Sequence, residues 1–185
     1  MPEHEPGPDA ERDIDILYAG KLEGRKGIVD LVRAMQHMPH YRATIAGGSP
    51  AEVARVRADA QAFGVVNRVE VLGFIDPART DALYARARVG VCPLPSGQSM
   101  VSEQFTSPLK LLNLMAWRVP VVATAVPSVE RIVRHEESAL LVPPGDAAAM
   151  GAAIQRLLED RGLAARLTEN ARAIVRHYSW QHPAG

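Results

Sequence analysis

The residues best suited to chemistry in this 185-residue chain are three lysines in segments that also carry glycine or proline. Only Lys21, Lys26 and Lys110 are lysines among the 21 lysines and arginines, so each stands out against an arginine-rich background. Lys21 and Lys26 lie in GKLEGRKG, and Lys110 lies in SPLK. A lysine ammonium is a compact charge on a mobile stem, which suits a phosphate group. The three positions therefore predict a phosphate-binding site.

The segment 102–124, SEQFTSPLKLLNLMAWRVPVVAT, indicates a polar loop, a helix and a short apolar strand. Ser107 is suited to cap the helix and Pro108 to its first position, where a missing N–H costs no hydrogen bond. We therefore expect the helix to begin at Ser107. Free N–H donors and a partial positive charge at a helix N-terminus favour a phosphate there. The alternative interpretation is an ordinary capped surface helix.

Helical spacing in this segment predicts which side chains face the core. Lys110 and Asn113 are three residues apart and are expected to share the opposite flank, near the open end of the helix. The apolar residues expected to form the buried stripe are Leu109, Leu112, Met115 and Ala116.

Composition excludes several classes of function. With 47% hydrophobic residues, the chain can bury a full core as one domain, or as one domain with a helical extension. The 21 basic residues are balanced by 21 acidic residues, so no basic field is present to hold nucleic acid or an anionic bilayer. No apolar run approaches the roughly 18 residues of a membrane helix, and the acidic, proline-rich start is unlike a signal peptide. We expect a cytoplasmic protein without a transmembrane segment.

Cysteine and histidine point to no further chemistry. Cys92 is the single cysteine and ends an apolar run, so we expect it to pack as a small hydrophobic residue. His37 and His40 flank a proline at an expected helix end, and no histidine pair has the spacing of metal ligands. We therefore predict surface histidines and no metal.

Alternation of strands and helices sets the expected fold. After a lead-in over 1–12, expected to be disordered, the folded domain is predicted to span 13–180. Six apolar strand candidates alternate with helical segments, which predicts an α/β fold with a doubly wound, Rossmann-like parallel sheet. Two amphipathic segments, 146–160 and 163–177, follow. The strand candidates are DIDILYAG, YRATIAGG, RVEVLGF, VGVCPL, PVVAT and SALLVP, and the helical segments between them are IVDLVRAMQHM, 50–63, 77–87, the helix from 107 and a shorter one around 128–134.

Ligands of open α/β sheets bind outside the carboxyl ends of the strands, and the glycine-rich and lysine-bearing loops of this chain all follow strands. Neither a dinucleotide fingerprint nor a Walker loop is present in GKLEGRKG. We therefore expect one phosphate-binding crevice of another geometry. The residues expected to face it are Lys21, Lys26, Gly47, Gly48, Gly73 and Lys110.

Six segments in this order, YAGKLEGRKG, ATIAGGSP, VEVLGFI, SPLKLLNLMAWRVPVVAT, ALLVPPGD and HYSW, resemble the C-terminal half of retaining glycosyltransferases of family four. The resemblance covers nearly the whole folded chain. It implies the donor-binding half of a GT-B enzyme, the "glycosyl transferases group 1". In that family a separate N-terminal domain holds the acceptor, so this chain would carry half of an active site.

The resemblance also implies roles for individual residues. Lys21 and Lys26 would hold the donor diphosphate, and Gly47 and Gly48 would let the backbone approach the ligand or simply form a tight turn. Three residues after the third strand would line the nucleotide base, although the phenylalanine among them could equally be a core residue; they are Gly73, Phe74 and Ile75. Four residues of the SPLK segment would cover the phosphates and the sugar; they are Ser107, Pro108, Leu109 and Lys110.

Two positions depart from the family pattern. Asn113 stands where the family has the glutamate that grips the ribose hydroxyls, and Phe105 stands where the partner glutamate would fall. Glu103 lies two positions away from that second site. An amide can still bond a hydroxyl, although as a neutral partner.

The resemblance implies transfer of a sugar from a nucleotide diphosphate sugar to an acceptor, with retention and with electrostatic support of the leaving diphosphate. It implies a hexosyltransferase-type enzyme without a cofactor, and it assigns no catalytic residue. Two alternatives stay open. The chain could be a non-catalytic nucleotide-sugar-binding module, or one subunit of a split enzyme whose acceptor domain is a separate chain.

Overall fold

A computed structural model of the chain describes residues 12–22, 27–94 and 109–181. Its centre is a six-stranded, entirely parallel sheet with the strand order β3-β2-β1-β4-β5-β6. This is the doubly wound order, so the predicted fold class is confirmed. The strands are β1 (Ile14–Ala19), β2 (Ala43–Ala46), β3 (Val69–Gly73), β4 (Ala87–Cys92), β5 (Val121–Thr124) and β6 (Leu140–Val142).

Helices connect the strands and cover both faces of the sheet. The predicted segment around 128–134 is helical over only four residues, and both C-terminal segments are helices, as predicted. The expected start at Ser107 lies outside the described residues. The helices are α1 (Ile28–Ala34), α2 (Pro50–Ala62), α3 (Pro77–Arg86), α4 (Leu109–Ala116), α5 (Pro127–Glu130), α6 (Ala147–Glu159) and α7 (Arg161–Gln181).

Two apolar clusters, one on each face, hold these layers together. Within β1, Ile16 and Tyr18 pack into the cluster formed with α1, α2 and α6, while Leu17 and Ala19 pack into the cluster formed with α3, α4 and α7. A central strand covered on both faces needs a nearly continuous apolar run, which IDILYA supplies. Among the described residues, no helix has the length and apolar character needed to cross a bilayer.

The structure describes only the last residue of the expected lead-in, because residues 1–11 lie outside the described part of the chain. Arg12 is described and partly buried, and its guanidinium donates hydrogen bonds to the carbonyl oxygens of Ala87, Trp117 and Arg118. Arg12 therefore ties the start of β1 to the start of β4 and to the turn after α4.

The buried face of α4 differs from the predicted stripe. Leu109 is 56% exposed, and Leu112 and Ala116 are only partly buried. Apolar residues occupy most of LKLLNLMA, so spacing alone favours several stripes, and packing on the sheet selects one. Leu114 faces the sheet because it packs against Gly90 of β4, where a side chain would overlap it. The residues that α4 buries are Leu111, Leu114 and Met115.

Backbone groups at the carboxyl ends of β1, β2 and β3 lie unusually close together. Gly20 donates a hydrogen bond to the carbonyl of Ala46 at 2.9 Å, and Gly47 donates one to the carbonyl of Gly73 at 2.6 Å. Gly47 has a φ of 123°, and a Cβ atom there would overlap the carbonyl oxygen of Gly20. Only glycine therefore fits at position 47.

Substitution of this glycine tests how closely the strand ends approach. Gly64, with a φ of 70° and no atom within 4 Å of the place that a Cβ atom would take, is the matched control, because alanine there meets only backbone strain. We expect Gly64→Ala to lower the free energy of unfolding by about 1 kcal/mol and Gly47→Ala to lower it by about 3 kcal/mol or more. Urea unfolding of both variants checks this, and equal losses would contradict the close approach at Gly47.

Candidate functional site

A crevice of about 430 Å³ lies at the carboxyl edge of the sheet, between the turn after β1, the turns after β2 and β3, and the start of α4. We call it the carboxyl-edge crevice. Its position agrees with the place where open α/β sheets bind ligands. It is lined by Ala19, Gly20, Lys21, Ala46, Gly47, Gly48, Phe74, Ile75, Thr80, Tyr84, Leu109, Lys110 and Asn113.

Most of the described residues that the sequence singled out meet in this crevice. Gly73 does not line it, and its carbonyl instead accepts the hydrogen bond from Gly47. Lys26, Ser107 and Pro108 lie outside the described residues. The predicted residues that come together are Lys21, Gly47, Gly48, Phe74, Ile75, Leu109, Lys110 and Asn113.

Two glycines form the wall that follows β2. A side chain at Gly48, whose φ is 86°, would lie 2.6 Å from Leu22. Both Gly47 and Gly48 therefore serve the tight turn, and both also line the crevice. Ser49 then caps α2, because its hydroxyl accepts a hydrogen bond from the Glu52 backbone while the Glu52 carboxylate accepts one from the Ser49 backbone. This reciprocal cap fixes where the glycine turn ends.

Lys110 reaches the crevice from α4 across the turn after β1. Its Nζ lies 3.6 Å from the centre of the Tyr18 ring. Gly20 makes room for this stem, since a Cβ atom at Gly20 would lie 2.7 Å from Lys110 Cε. A cation over an aromatic face is attracted by the electron-rich ring. The ammonium of Lys110 is thus placed beside the turn that carries Lys21.

Lys21 is exposed in that turn, directly after Gly20. Tyr18 holds the backbone of the turn, because its hydroxyl donates a hydrogen bond of 2.6 Å to the Lys21 carbonyl. In the first turn of α2, the pKa of Glu52 is lowered chiefly by its hydrogen bonds from Ser49, and the charges of Arg55 and Lys21 act in the same direction. Glu52 does not itself line the crevice.

Asn113 lines the crevice beside an aromatic pair formed by the buried Tyr84 and the partly buried Trp117. Tyr84 is 5% exposed, and its ring stacks on Trp117 with a centroid distance of 6.5 Å. Burial raises the pKa of Tyr84, whereas its hydrogen bond with the Asn113 side chain lowers that pKa to a smaller extent. A hydrogen bond with the buried phenol of Tyr84 therefore helps to hold the Asn113 amide in the crevice.

Apolar side chains stand at the mouth of the crevice. Phe74 is 84% exposed, so the alternative that it is a core residue is wrong. Leu109 is also exposed, and Ile75 packs partly against the cluster beneath α3 and α4. Large exposed apolar side chains beside a crevice are typical of surfaces that another molecule covers.

Reasoning from the sequence missed the tyrosines of this site. Tyr18 reads as one more apolar residue of a buried strand, and Tyr84 as part of the buried stripe of α3. The fold brings the Tyr84 hydroxyl to Asn113, whereas the Tyr18 hydroxyl bonds the carbonyl of Lys21 only 3 residues further along the chain. No local motif in the sequence could have indicated either contact.

Cys92, His37 and His40 have the predicted environments. Cys92 is 2% exposed and packs in the apolar cluster with α4, so the prediction of a small packed residue is confirmed. His37 and His40 are exposed, as predicted. Within residues 12–22, 27–94 and 109–181, no three histidine, cysteine, aspartate or glutamate side chains are grouped as metal ligands would be.

A second and larger cavity, of about 920 Å³, lies at the opposite edge of the sheet, near the amino ends of β1 and β4. We call it the amino-edge cavity. Arg88 on its wall pairs with Asp15 at 2.6 Å and also donates a hydrogen bond to the Leu158 carbonyl. Its size alone does not make it the functional site, because both of its aspartates are paired with arginines, Asp15 with Arg88 and Asp13 with Arg86. The carboxyl-edge crevice has the better placed ligand groups.

Comparison with known proteins identifies the family of the chain. Residues 2–174 match the family described as "Glycosyl transferases group 1". A D-inositol 3-phosphate glycosyltransferase of Xylanimonas cellulosilytica is 32% identical over 173 residues, which are 91% of this chain and 40% of that protein. The chain thus spans about two fifths of the length of this relative.

Solved structures show the same fold. Sucrose-phosphate synthase from Thermosynechococcus elongatus is 34% identical, with a TM-score of 0.74 over 88% of this chain and 40% of that one. The Anabaena protein HepE, solved in complex with UDP and glucose, is 22% identical, with a TM-score of 0.75 over 91% of this chain and 45% of that one, and supports the fold alone. The chain belongs to the family of glycosyl transferases group 1, and its fold is one half of the GT-B architecture.

Proposed function

We propose that the carboxyl-edge crevice binds the diphosphate of a nucleotide sugar and that this chain is the donor half of a hexosyltransferase-type glycosyltransferase. One observation carries the proposal. Lys21 and Lys110 come from separate elements and line the same crevice, and no aspartate or glutamate lines its described part. Two ammonium groups without a lining carboxylate form an environment that favours a dianionic ligand.

The remaining walls suit the other parts of such a donor. The backbone at Gly47 and Gly48 is free of side chains, so phosphate oxygens can approach it closely. Phe74 and Ile75 offer an apolar surface for a base, and Asn113 offers an amide for the ribose hydroxyls. By resemblance to the family, Lys26, Ser107 and Pro108 would add contacts to the phosphates and the sugar.

In the proposed reaction the sugar is transferred with retention of configuration. Negative charge develops on the departing diphosphate as the glycosidic bond breaks, and fixed positive charge stabilises it. Lys21 and Lys110 supply that charge from the described residues, so no metal is needed for this role. The names of two relatives support sugar transfer, since one is a D-inositol 3-phosphate glycosyltransferase and another a phosphatidyl-myo-inositol mannosyltransferase.

The acceptor would be held outside this chain segment. Relatives of more than twice its length match it over about two fifths of their sequences. Phe74 and Leu109 at the mouth of the crevice are the exposed apolar residues that an acceptor domain would cover. Such a domain could belong to the same polypeptide or to a separate chain.

A non-catalytic nucleotide-sugar-binding module is the second candidate. The observation that favours it is the loss of both family glutamates, at Asn113 and Phe105. Hydrolysis of a nucleotide sugar by the purified chain distinguishes the two candidates. Release of free sugar above the rate seen without protein would reject the non-catalytic module.

Binding of a nucleoside diphosphate is expected to raise the melting temperature, because a ligand of the folded state stabilises it. Lys21→Ala should weaken this binding about tenfold, and because Lys21 is exposed it should change the free energy of unfolding by no more than about 0.5 kcal/mol. Arg161→Ala is the matched control, since Arg161 is an exposed cation on the amino-edge cavity. Thermal shift and calorimetry with uridine, guanosine and adenosine diphosphates check this, and equal affinities in the two variants would contradict the proposed role of Lys21.

Restoring the family carboxylate is expected to tighten binding of the whole nucleotide. Asn113→Glu should strengthen nucleotide binding by about 1 kcal/mol, the difference between a neutral and a charge-assisted hydrogen bond to the ribose hydroxyls. Pyrophosphate, which has no ribose, should bind both proteins equally. Calorimetry with the nucleoside diphosphate and with pyrophosphate separates these contributions. Unchanged affinity for the nucleotide would remove Asn113 from the proposed ribose site.

A further inference from the structure

Tyr18 makes two polar contacts from a fully buried position in β1. Its hydroxyl donates a hydrogen bond of 2.6 Å to the Lys21 carbonyl, and its ring centre lies 3.6 Å from Lys110 Nζ. One side chain therefore contacts both described lysines of the carboxyl-edge crevice, although these lysines belong to different elements. Tyr18 itself does not line the crevice.

We propose that Tyr18 is a positioning residue that sets where the ammonium groups of Lys21 and Lys110 stand relative to each other, so that together they match a diphosphate. This inference rests on the proposed function of the crevice. It assigns Tyr18 no contact with the ligand. Tyr18 acts through the two lysines, and its effect should therefore depend on their presence.

The ring suits Lys110 better than a carboxylate would. An aromatic face attracts an ammonium through its quadrupole and carries no net charge, so it fixes the position of Lys110 without cancelling the charge that a phosphate needs. Gly20 assists, because it leaves the space through which the Lys110 stem crosses the turn. Leucine at position 18 would fill part of the same volume without this attraction.

The hydroxyl serves Lys21 in a different way. It holds the carbonyl of Lys21, and therefore the backbone from which that side chain extends. Phenylalanine would keep the ring beneath Lys110 and lose only this hydrogen bond. The two contacts can thus be removed one at a time, and ordering both cations before the ligand arrives reduces the entropy lost on binding.

The test is a pair of double-mutant cycles, since residues that act through each other give non-additive effects. Calorimetry measures binding of uridine, guanosine and adenosine diphosphates, of the matching nucleosides and of pyrophosphate to the full chain. Tyr18→Leu removes both contacts and is expected to weaken diphosphate binding about fivefold in the natural background, but only about threefold, the share lost with the hydroxyl, in the Lys110→Met background. Nucleoside affinities should not change, although a purely structural role would weaken nucleosides and diphosphates alike.

The second cycle uses a variant that preserves the core. Tyr18→Phe is expected to weaken diphosphate binding about threefold in the natural background and not in the Lys21→Ala background. This cycle tests the positioning role of Tyr18 even if Tyr18→Leu does not fold. Additive losses in both cycles, or wild-type affinity in Tyr18→Phe and in a folded Tyr18→Leu, would overturn the inference.

Two readouts keep this inference separate from the proposed function. If no nucleoside diphosphate binds the natural chain, the proposed function fails, and pyrophosphate binding then decides the role of Tyr18. Proton NMR of the lysine ε-methylene groups should show Lys110 shifted upfield by the Tyr18 ring, and this shift should persist in Tyr18→Phe and vanish in Tyr18→Leu. No upfield shift, or pyrophosphate binding that is absent or insensitive to both Tyr18 variants, would overturn the inference.

Discussion

At the carboxyl edge of the sheet, the backbone of Gly47 lies so close to the carbonyl of Gly20 that no side chain fits between them. Hydrogen bonds from Gly20 to Ala46 and from Gly47 to Gly73 join the ends of three adjacent strands at this point. The crevice depends on this contact, because it brings the turn after β1 against the turn after β2. It also leaves bare backbone where a large anion could approach.

Charge is distributed unequally between the two edges of a sheet whose chain has no net charge. At the amino edge, arginines pair with carboxylates, as Arg88 does with Asp15 and Arg86 with Asp13. At the carboxyl edge, Lys110 lies on the uncharged ring of Tyr18. The first arrangement stabilises the chain locally, whereas the second preserves positive charge in a crevice. Zero net charge therefore excludes a broad basic surface without excluding a local site for an anion.

Much of the fold could be predicted from the sequence, because buried parallel strands leave continuous apolar runs and the helices between them have the matching period. The buried face of α4 could not be predicted, because its sequence is apolar on nearly every side. Leu114 packs against Gly90, where a side chain would overlap it. The crevice was located by the rule that parallel strands present their loops at one edge. Tyr84 was missed because its hydroxyl contacts Asn113, which is distant in sequence. Tyr18 was missed because it lies in a buried strand, where it reads as one more apolar residue. The roles of Lys26, Ser107 and Pro108 stay predictions, since these residues lie outside the described part of the chain.

The most direct test of this account is a map of backbone amide chemical shifts during titration with a nucleoside diphosphate. Binding at the carboxyl-edge crevice predicts that the largest changes occur at Gly20, Lys21, Gly47 and Lys110. Amides around the amino-edge cavity, such as those of Arg118 and Arg161, should change little. Largest changes at the amino-edge cavity, or no saturable change anywhere, would contradict the assignment of the crevice as the diphosphate site.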